Sequence, residues 1–467
     1  MTADITKAFL QIRVRRPDQD VHRFLWNVND SVRVMRFVRV PFGNCSSPFL
    51  LNATIKHHLA TVPQTQVVQE LESNFYVDDW LSGCDSDEDA CAMVAKATRV
   101  MEGASMSLSK WCSNSGVVAD MLSREFHDRH MAVESVKVLG LKWLAQQDCF
   151  AFDGLELPGD AVFTKRLILS VISRLFDPLG LLAPFTMLAK CMFQDLWKLG
   201  LAWDEVVPDD FQRQIAQWVA GMHVLKSWHV PRSYTGRAWR ENAEVCLHAF
   251  GDASERGYGA CVYVVVRFLD GSVCSSLVTS RARVAPLKKV SLPRLELLAA
   301  LLCARLLLFV QRTLGFPRDM LYTCWTDSTV VLAWVKADSH RWQTFVANRV
   351  AEIQELTNPA CWRHCPGRQN PADLLTRGLY AEELVASSLW LAGPEFMRES
   401  FDDSQTASCD AVDDESVITE QANPAVSLVT TRDVCDPLFD VSRWGSLGKA
   451  IRVVGWVKRF LHNAKCS

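Results

Sequence analysis

The sequence predicts a multidomain chain, part α+β and part α/β, on three observations. Its 467 residues suggest about three domains at roughly 150 residues each. From Glu244 the elements run βββαβααβα, the order of a mixed α/β layer. Between these ends, from Thr164, the texture turns to helices. Hydrophobic residues make up 49% and charged residues 22%, so cores are affordable in every part.

The first part mixes strands and helices. Residues 24–40, FLWNVNDSVRVMRFVRV, read as two strands around an Asn-Asp turn. SPFLLNATIKHHLATV has helical spacing with Ser47 as N-cap and Pro48 at the first helical position. FYVDDWLSG reads as strand, tight turn, strand, DEDACAMVAKATRVME as an amphipathic helix, and VKVLGLKW as one further strand. The helical stretch TKRLILSVISRLFDPLGLLAPFTMLAKCMFQDLWKLG is broken at Pro178–Gly180, and DDFQRQIAQWVAGM follows it. Residues 230–243 are a polar, Arg-rich connector.

In the last part, VCLHAFGDAS, GYGACVYVVV and SVCSSLVTSRA read as strands. SLPRLELLAALLCARLLLFVQRTLG is a long helix with Pro293 in its first turn. The strand MLYTCWTDS precedes the helix STVVLAWVKA, and RWQTFVANRVAEIQEL is another helix. CWRHCP is a short strand and PADLLTRG a short helix. Between Glu399 and Glu420 there are eight acids and no Lys or Arg, the composition of a flexible linker. RWGSLGKAIRVVGWVKRFLHNAK is a basic amphipathic helix.

The formal net charge of -3 gives no overall attraction to nucleic acid, so any basic surface is local. No apolar run spans a bilayer, and no signal-peptide core opens the chain, so no membrane contact and an intracellular place are expected. The 16 cysteines follow no disulfide framework. Cys361, His364 and Cys365 form CxxHC, but no second pair follows at zinc-finger spacing.

Two sets of acids carry the chemistry. Asp78 and Asp79 stand side by side after an apolar run, and Asp4 sits where another short strand gives way to a helix-like stretch. If these strands are neighbours, three carboxylates converge, which is costly unless cations neutralise them. Mg²⁺ prefers oxygen ligands, and two such ions roughly 4 Å apart clamp the oxygens of an in-line phosphoryl transfer. The plain alternative is a polar hairpin with solvated acids. In the second set Asp252 ends a strand, Glu296 lies in the first turns of the long helix, Asp327 ends the fourth strand, and Asp373 lies in the final short helix. Strand ends and helix starts share one sheet edge, so the four can meet there. Singly, each also reads as a turn acid, a helix-dipole partner, an N-cap neighbour or a solvated acid.

ADITKAF, VPFGNCSSPFLLN, FYVDD, SLSKW and VKVLGL, in that order, resemble the palm motifs of reverse transcriptases over roughly Met1–Trp143. The resemblance implies that Asp4, Asp78 and Asp79 bind the catalytic metals. It implies that Phe9 rejects a 2′-hydroxyl by bulk, and that Gly43 and Ser47 lie against template or nucleotide, where small residues permit close approach. Lys110 resembles the lysine that protonates departing pyrophosphate; a surface lysine is the other reading. The family carries a basic fingers region before its first motif. This sequence begins almost at Asp4, so the palm is expected to be truncated and its polymerase activity on dNTP and primer-template weak.

GDAS, LPRLELLAA, TDST and PADLLTRG, within about Glu244–Gly378, resemble the four acid-bearing motifs of ribonuclease H. The resemblance implies a five-stranded mixed sheet with flanking helices. It also implies Mg²⁺ (or Mn²⁺) held by Asp252, Glu296, Asp327 and Asp373, and hydrolysis of RNA in an RNA–DNA hybrid. Many relatives carry a histidine before the last acid. Here Arg368 takes that place; it cannot shuttle a proton at neutral pH and fits holding a phosphate. Arg341, Trp342 and Arg349 are candidate contacts to the hybrid. Packing of Trp342 in the core with solvated arginines is the alternative.

FDPLGLLAP, LPRLELLAA, FVANRV, PGRQNPADLLTRG and SLWLAGPEF resemble Bel/Pao-type retrotransposon polyproteins. That family labels the region around Thr164–Trp239 a peptidase, but the chain has neither the DTG nor the DSG of an aspartic protease, and Asp177 before Pro178 reads as a turn residue. The resulting domain expectation is a palm at 1–148, a helical thumb or connection at 149–243, ribonuclease H at 244–380, an acidic linker at 381–440 and a basic helix at 441–467, the lead-in to an integrase. The expected function is a retrotransposon reverse transcriptase with ribonuclease H; a non-catalytic nucleic-acid-binding remnant and a peptidase are the alternatives.

Overall fold

The computed structural model describes residues 1–126, 135–154, 157–158, 161–237, 243–399, 419–421, 452, 455–456 and 458–459. Residues 1–421 form one compact unit and residues 422–467 another. Most of the expected acidic linker and of the basic helix lies outside the described residues. The described positions of the second unit, Trp456 among them, are helical and exposed.

The first region builds a small sheet with helices on it. Its elements are β1 (Thr2–Ile5), α1 (Ala8–Gln11), β2 (Arg23–Val28), β3 (Ser31–Arg36), α2 (Ser47–Thr61), α3 (Gln66–Asn74), β4 (Phe75–Tyr76), β5 (Asp79–Leu81), α4 (Asp87–Glu102), β6 (Leu108–Cys112) and α5 (Gly116–Glu125). The sheet order is β4-β5-β1-β6, with β1 antiparallel to both neighbours. Apolar residues at helical spacing form its core: Leu51, Ile55 and Leu59 on α2, and Val94, Ala97 and Met101 on α4. They close over Ile5, Trp80 and Trp111, the two indoles meeting edge to face at 5.8 Å. The hairpin β2-β3 turns at Asn29 and Asp30, both with positive φ, as a two-residue primed turn requires. Ser46, not Ser47, stands at the N-cap position of α2, with no side-chain capping bond; Ser47 is buried inside the first turn and its hydroxyl donates to the Pro41 carbonyl.

VKVLGLKW forms two strands rather than one, β7 (Val136–Val138) and β8 (Leu141–Leu144), because Leu139 and Gly140 both take positive φ. A Cβ on Gly140 would stand 2.7 Å from the Phe176 ring, so that ring packs directly on the turn backbone. With β9 (Cys149–Ala151) and β10 (Val230–Pro231) they make a sheet of order β10-β9-β8-β7. The helices α6 (Lys165–Arg174), α7 (Ala183–Lys198), α8 (Asp209–Ala220) and α9 (Met222–Lys226) lie between β9 and β10 in sequence.

The remaining elements are β11 (Ala243–Ala253), β12 (Gly257–Phe268), β13 (Val273–Val284), α10 (Leu292–Thr313), β14 (Tyr322–Thr326), α11 (Thr329–Lys336), α12 (Thr344–Leu356), β15 (Trp362–His364), α13 (Asp373–Arg377), α14 (Ala381–Ala386) and α15 (Ser388–Ala392). The sheet has five strands in the order β13-β12-β11-β14-β15; β11, β12 and β13 are antiparallel, while β14 is parallel to β11 and to β15. This is the mixed five-stranded sheet that the sequence predicts.

Both faces of that sheet are covered. Along β12, Ala260, Val262, Val264 and Val266 face α10, α11 and α12, whereas Cys261, Tyr263 and Val265 face the opposite core. That is why VYVVV is apolar without alternation. The second face packs against Ile168, Phe185, Leu196, Trp218 and Leu225 of α6 to α9, and against Leu375, Leu384 and Trp390 of α13 to α15. Helices α6 to α9 therefore share one core with the sheet.

Trp342 corrects an expectation. It is buried, and its indole N–H donates to the Trp334 carbonyl at 3.2 Å. Packed against Trp334, it offers no open face on which a base could stack.

Candidate active sites

The two sets of acids occupy two different sheets. In the first, register places Asp4 directly across from Asp79, and the Ile5 N–H donates to the Asp78 carbonyl at 3.0 Å. Val77, with φ of 59°, makes the sharp turn that sets Asp78 beside this pair. Like charges facing across neighbouring strands repel. Burial first, then Asp4, raises the Asp78 pKa; burial, then Asp78 and Asp4, raises that of Asp79. Lys110 on β6 pairs with the Asp4 carboxylate, and that hydrogen bond raises the lysine pKa. The Lys110 ammonium thus acts as counter-charge where three acids meet. A cavity of about 330 Å³ opens here, lined by Asp4, Asp79, Lys110 and Val136–Val138.

Other residues expected in this region divide. Phe9 is buried on α1 and meets Phe42 edge to face at 5.1 Å, so its bulk is fixed in place. Gly43 is exposed, with φ of 86° and open space where a Cβ would project. Ser47 is a correction: its buried hydroxyl is spent on Pro41, so it presents no surface to a template.

In the second sheet, Asp252 near the end of β11 interacts electrostatically with Asp327, Asp373 and Glu296. Fold geometry explains the meeting. Strand β14 runs parallel beside β11 and delivers Asp327 at its exit. Helix α10 crosses β11 so closely that a Cβ on Gly251 would stand 3.1 Å from the Ala299 carbonyl oxygen, which brings Glu296 over the strand end. Burial, and then the neighbouring acids, push the Asp252 pKa up to about 7. Burial and Asp373 also raise that of Asp327.

Four residues that the motifs did not single out hold this set. The Thr376 hydroxyl donates to Asp252 Oδ2 at 2.6 Å. Asn370, fully buried, donates to the Gly251 carbonyl at 3.2 Å and accepts the Ala372 N–H at 3.1 Å, tying the last-acid loop to the first-acid strand. Ser328 caps α11 and its hydroxyl also bonds Glu296. Arg377 pairs with Asp373 at 2.7 Å, one helical turn away. Only Arg377 was legible by spacing, as an i,i+4 ion pair; Thr376 and Asn370 act on residues 124 and 119 positions distant. Arg368 is exposed, and the neighbouring Gly367 abuts Asp327, where a Cβ would stand 3.2 Å from Oδ2. His364, opposite Thr326 in the sheet register, adds positive field at Asp327.

Both acid sets offer only oxygen donors, the chemistry a hard divalent cation takes. Burial first, and repulsion by neighbouring acids after it, raise the pKa of Asp78, Asp79, Asp252 and Asp327, and such a cation offsets both. Among the described residues no three His, Cys, Asp or Glu side chains are already drawn together as a metal cage. The carboxylates instead lean on Lys110, Thr376, Ser328 and Arg377. The same holds for Cys361, His364 and Cys365, of which Cys365 is fully buried.

Arg341 is exposed on the turn before α12, and Arg349 lies on α12 with its guanidinium 3.6 Å from the Phe345 ring. Asp177 has a structural duty: its carboxylate accepts the Leu181 N–H at 2.8 Å and the Leu182 N–H at 2.7 Å.

Residues 1–142 match the family model for reverse transcriptase (RNA-dependent DNA polymerase). Residues 164–328 match that for the Pao retrotransposon-like RNaseH-like domain. That description replaces the expected peptidase label. The match also runs beyond Trp239, through β11 to β14, where the same core runs. Among solved structures, the chain is similar to a foamy viral protease-reverse transcriptase in complex with double-stranded DNA, at 14% identity and TM-score 0.23, over 78% of this chain and 58% of that one. It is similar to RNase H1 from the halophilic archaeon Halobacterium salinarum, at 21% identity and TM-score 0.20, over 28% of this chain and 93% of that one. An N-terminal RNase H domain from Mycobacterium tuberculosis is similar at 18% identity and TM-score 0.20, over 31% of this chain and 96% of that one. The chain thus spans 58% of the length of the foamy viral chain. No curated protein sequence matches it. In that order along the chain, a reverse transcriptase segment at residues 1–142 is thus followed by a Pao retrotransposon-like RNaseH-like segment at residues 164–328.

Proposed function

We propose that the chain serves the copying of retrotransposon RNA into DNA, and that its five-stranded sheet carries a hydrolase for the RNA strand of an RNA–DNA hybrid. The observation that carries this reading is the gathering of Asp252, Glu296, Asp327 and Asp373 at one end of that sheet. Asp252, Glu296, Asp327 and Asp373 would hold Mg²⁺, or Mn²⁺ in its place. When bound, the metal supplies an activated water and charge neutralisation at phosphorus. The chain's own part is positioning: Thr376 orients Asp252, Ser328 orients Glu296, and Asn370 keeps the Asp373 loop on the β11 end. Arg368, on the loop that abuts Asp327, binds a phosphate of the hybrid.

The palm site is proposed to act on primer-template and dNTP through Asp4, Asp78 and Asp79, which would hold the same kind of cation. Phe9 limits space beside the sugar, Gly43 leaves room for backbone approach, and Lys110 offers a proton to the leaving group.

The test gives purified chain a labelled RNA–DNA hybrid with Mg²⁺, beside the Asp327→Asn variant. Cutting by the parent that falls at least ~100-fold in the variant supports the reading, a loss typical of a removed charge-stabilising group. No products from either, with intact hybrid binding, would leave a nucleic-acid-binding remnant in its place, and equal products from both would show that the cutting does not depend on Asp327.

A further inference from the structure

A short segment far along the chain is seated against the first turn of α10 and the start of α12. Glu420 is buried, and one carboxylate oxygen pairs with Arg294 Nε at 2.6 Å. Arg294 stands two residues before Glu296 on α10. The segment is also held by its backbone: the Gln343 N–H donates to the Glu420 carbonyl at 2.7 Å, the Gln343 side chain donates to the Thr419 carbonyl at 2.9 Å, and Gln421 bridges Trp342 as an antiparallel pair.

The ground it occupies is built for an anion. The Phe345 ring carries two guanidiniums, Arg349 at 3.6 Å and Arg294 at 4.9 Å. In sequence, the stretch that leads into Arg294, RARVAPLKKVSLPR at 281–294, holds five cations and no acid, and Arg281, Arg283, Lys288 and Lys289 are exposed. Two buried polar atoms of this corner have no hydrogen-bond partner among the described residues: Glu420 Oε2 and Arg349 Nε. A single carboxylate therefore uses the position incompletely. An unsatisfied buried acceptor and an unsatisfied buried donor both weaken the seating. A phosphodiester brings further acceptor oxygens and matches the guanidinium fork.

We propose that Thr419–Gln421 is an acidic clasp seated on a backbone-phosphate position of the hydrolase, formed by Arg294, Arg349 and Phe345, and that the nucleic-acid backbone displaces it. Glu420 ends the stretch from Glu399 that holds eight acids and no Lys or Arg, so the tether itself has the charge sign of the ligand it competes with. The nature of that ligand rests on the hydrolase reading above.

The experiment compares hybrid binding, in EDTA so that nothing is cut, by the full chain, Glu420→Gln, Arg294→Ala and the double variant. Glu420→Gln is expected to bind labelled hybrid about three- to tenfold more tightly, the scale of one charge-assisted pair. Arg294→Ala is expected to bind more weakly, and the gain from Glu420→Gln to vanish in its background. In the parent, hydrogen exchange at the Gln343 amide should speed up when hybrid is added, because that amide loses the Glu420 carbonyl. Equal binding by parent and Glu420→Gln, or an unchanged Gln343 amide in a chain saturated with hybrid, overturns the clasp. If Glu420→Gln binds more tightly but neither it nor the parent cuts with Mg²⁺, the clasp stands and the hydrolase reading falls. If both cut and bind alike, the clasp alone falls.

Discussion

At the scale of single residues, Thr376 and Asp252 show how a site depends on groups that no motif advertises. Asp252 is buried, and the Thr376 hydroxyl is the donor that keeps one carboxylate oxygen satisfied. Removing that donor leaves a buried acceptor unpaired, at a cost of about 1–3 kcal/mol. The Thr376→Val variant is expected to remain folded and to cut hybrid roughly tenfold more slowly at an unchanged KM, while Thr376→Ser, which keeps the hydroxyl, restores the rate. A rise in KM with unchanged turnover would place Thr376 in substrate binding instead. The four acids were legible because each stands at a strand end or helix start beside recognisable text. Thr376 was not, because its partner is 124 residues away. Trp342 and Ser47 were misplaced for a related reason: residue type and motif position do not reveal whether a side chain faces the core, and both are buried.

At the scale of elements, periodic segments were the most legible. The helix DEDACAMVAKATRVME is α4 from first residue to last, with Ser86 accepting the Asp89 N–H as its cap. The single strand expected at VKVLGLKW was wrong, since Gly140 is a turn signal but Leu139 at φ of 49° is not. The break FDPLG was legible as a turn, but its electrostatics came from packing. Asp177 accepts two backbone N–H groups, which favours the carboxylate, yet burial outweighs them and pushes its pKa up to about 6. Its ordinary value is 3.8, so between about pH 4 and pH 6 the folded chain holds a proton that the unfolded chain releases. Stability from this group is complete below pH 4 and is lost as pH rises through 6. In Asp177→Asn that loss cannot occur. The stability of the variant relative to the parent, measured by urea unfolding, should rise from pH 4 to pH 6 by about 1–3 kcal/mol. A flat difference over that window would show that the two amide bonds hold the carboxylate ionised.

At the scale of the whole molecule, the helical stretch from Thr164 was read as a connection between two sites, yet its helices share a core with the five-stranded sheet. The apolar face of a helix says that it packs, not on what. The joint is visible at Gly180. The Leu179 carbonyl accepts the Ser280 N–H at 2.9 Å and the Thr279 hydroxyl at 2.8 Å, and the Gly180 carbonyl accepts the Ser280 hydroxyl at 2.5 Å. Here the turn covers the edge strand β13, whose outer groups would otherwise be unpaired. Gly180 has φ of 77°, and a Cβ on it would drive into the Ser280 carbonyl. Gly236 has φ of 71° with open space around it, so Gly236→Ala carries backbone strain without a clash. Gly236→Ala is expected to cost about 1 kcal/mol, and Gly180→Ala about 2–4 kcal/mol, by urea unfolding. The difference between the two variants measures the docking of the helical stretch on the sheet. Because that docking supports the sheet that holds Asp252, hybrid cutting by Gly180→Ala should fall at lower temperatures than cutting by Gly236→Ala. Equal stability of the two variants would mean that the sheet stands without the helices packed on it.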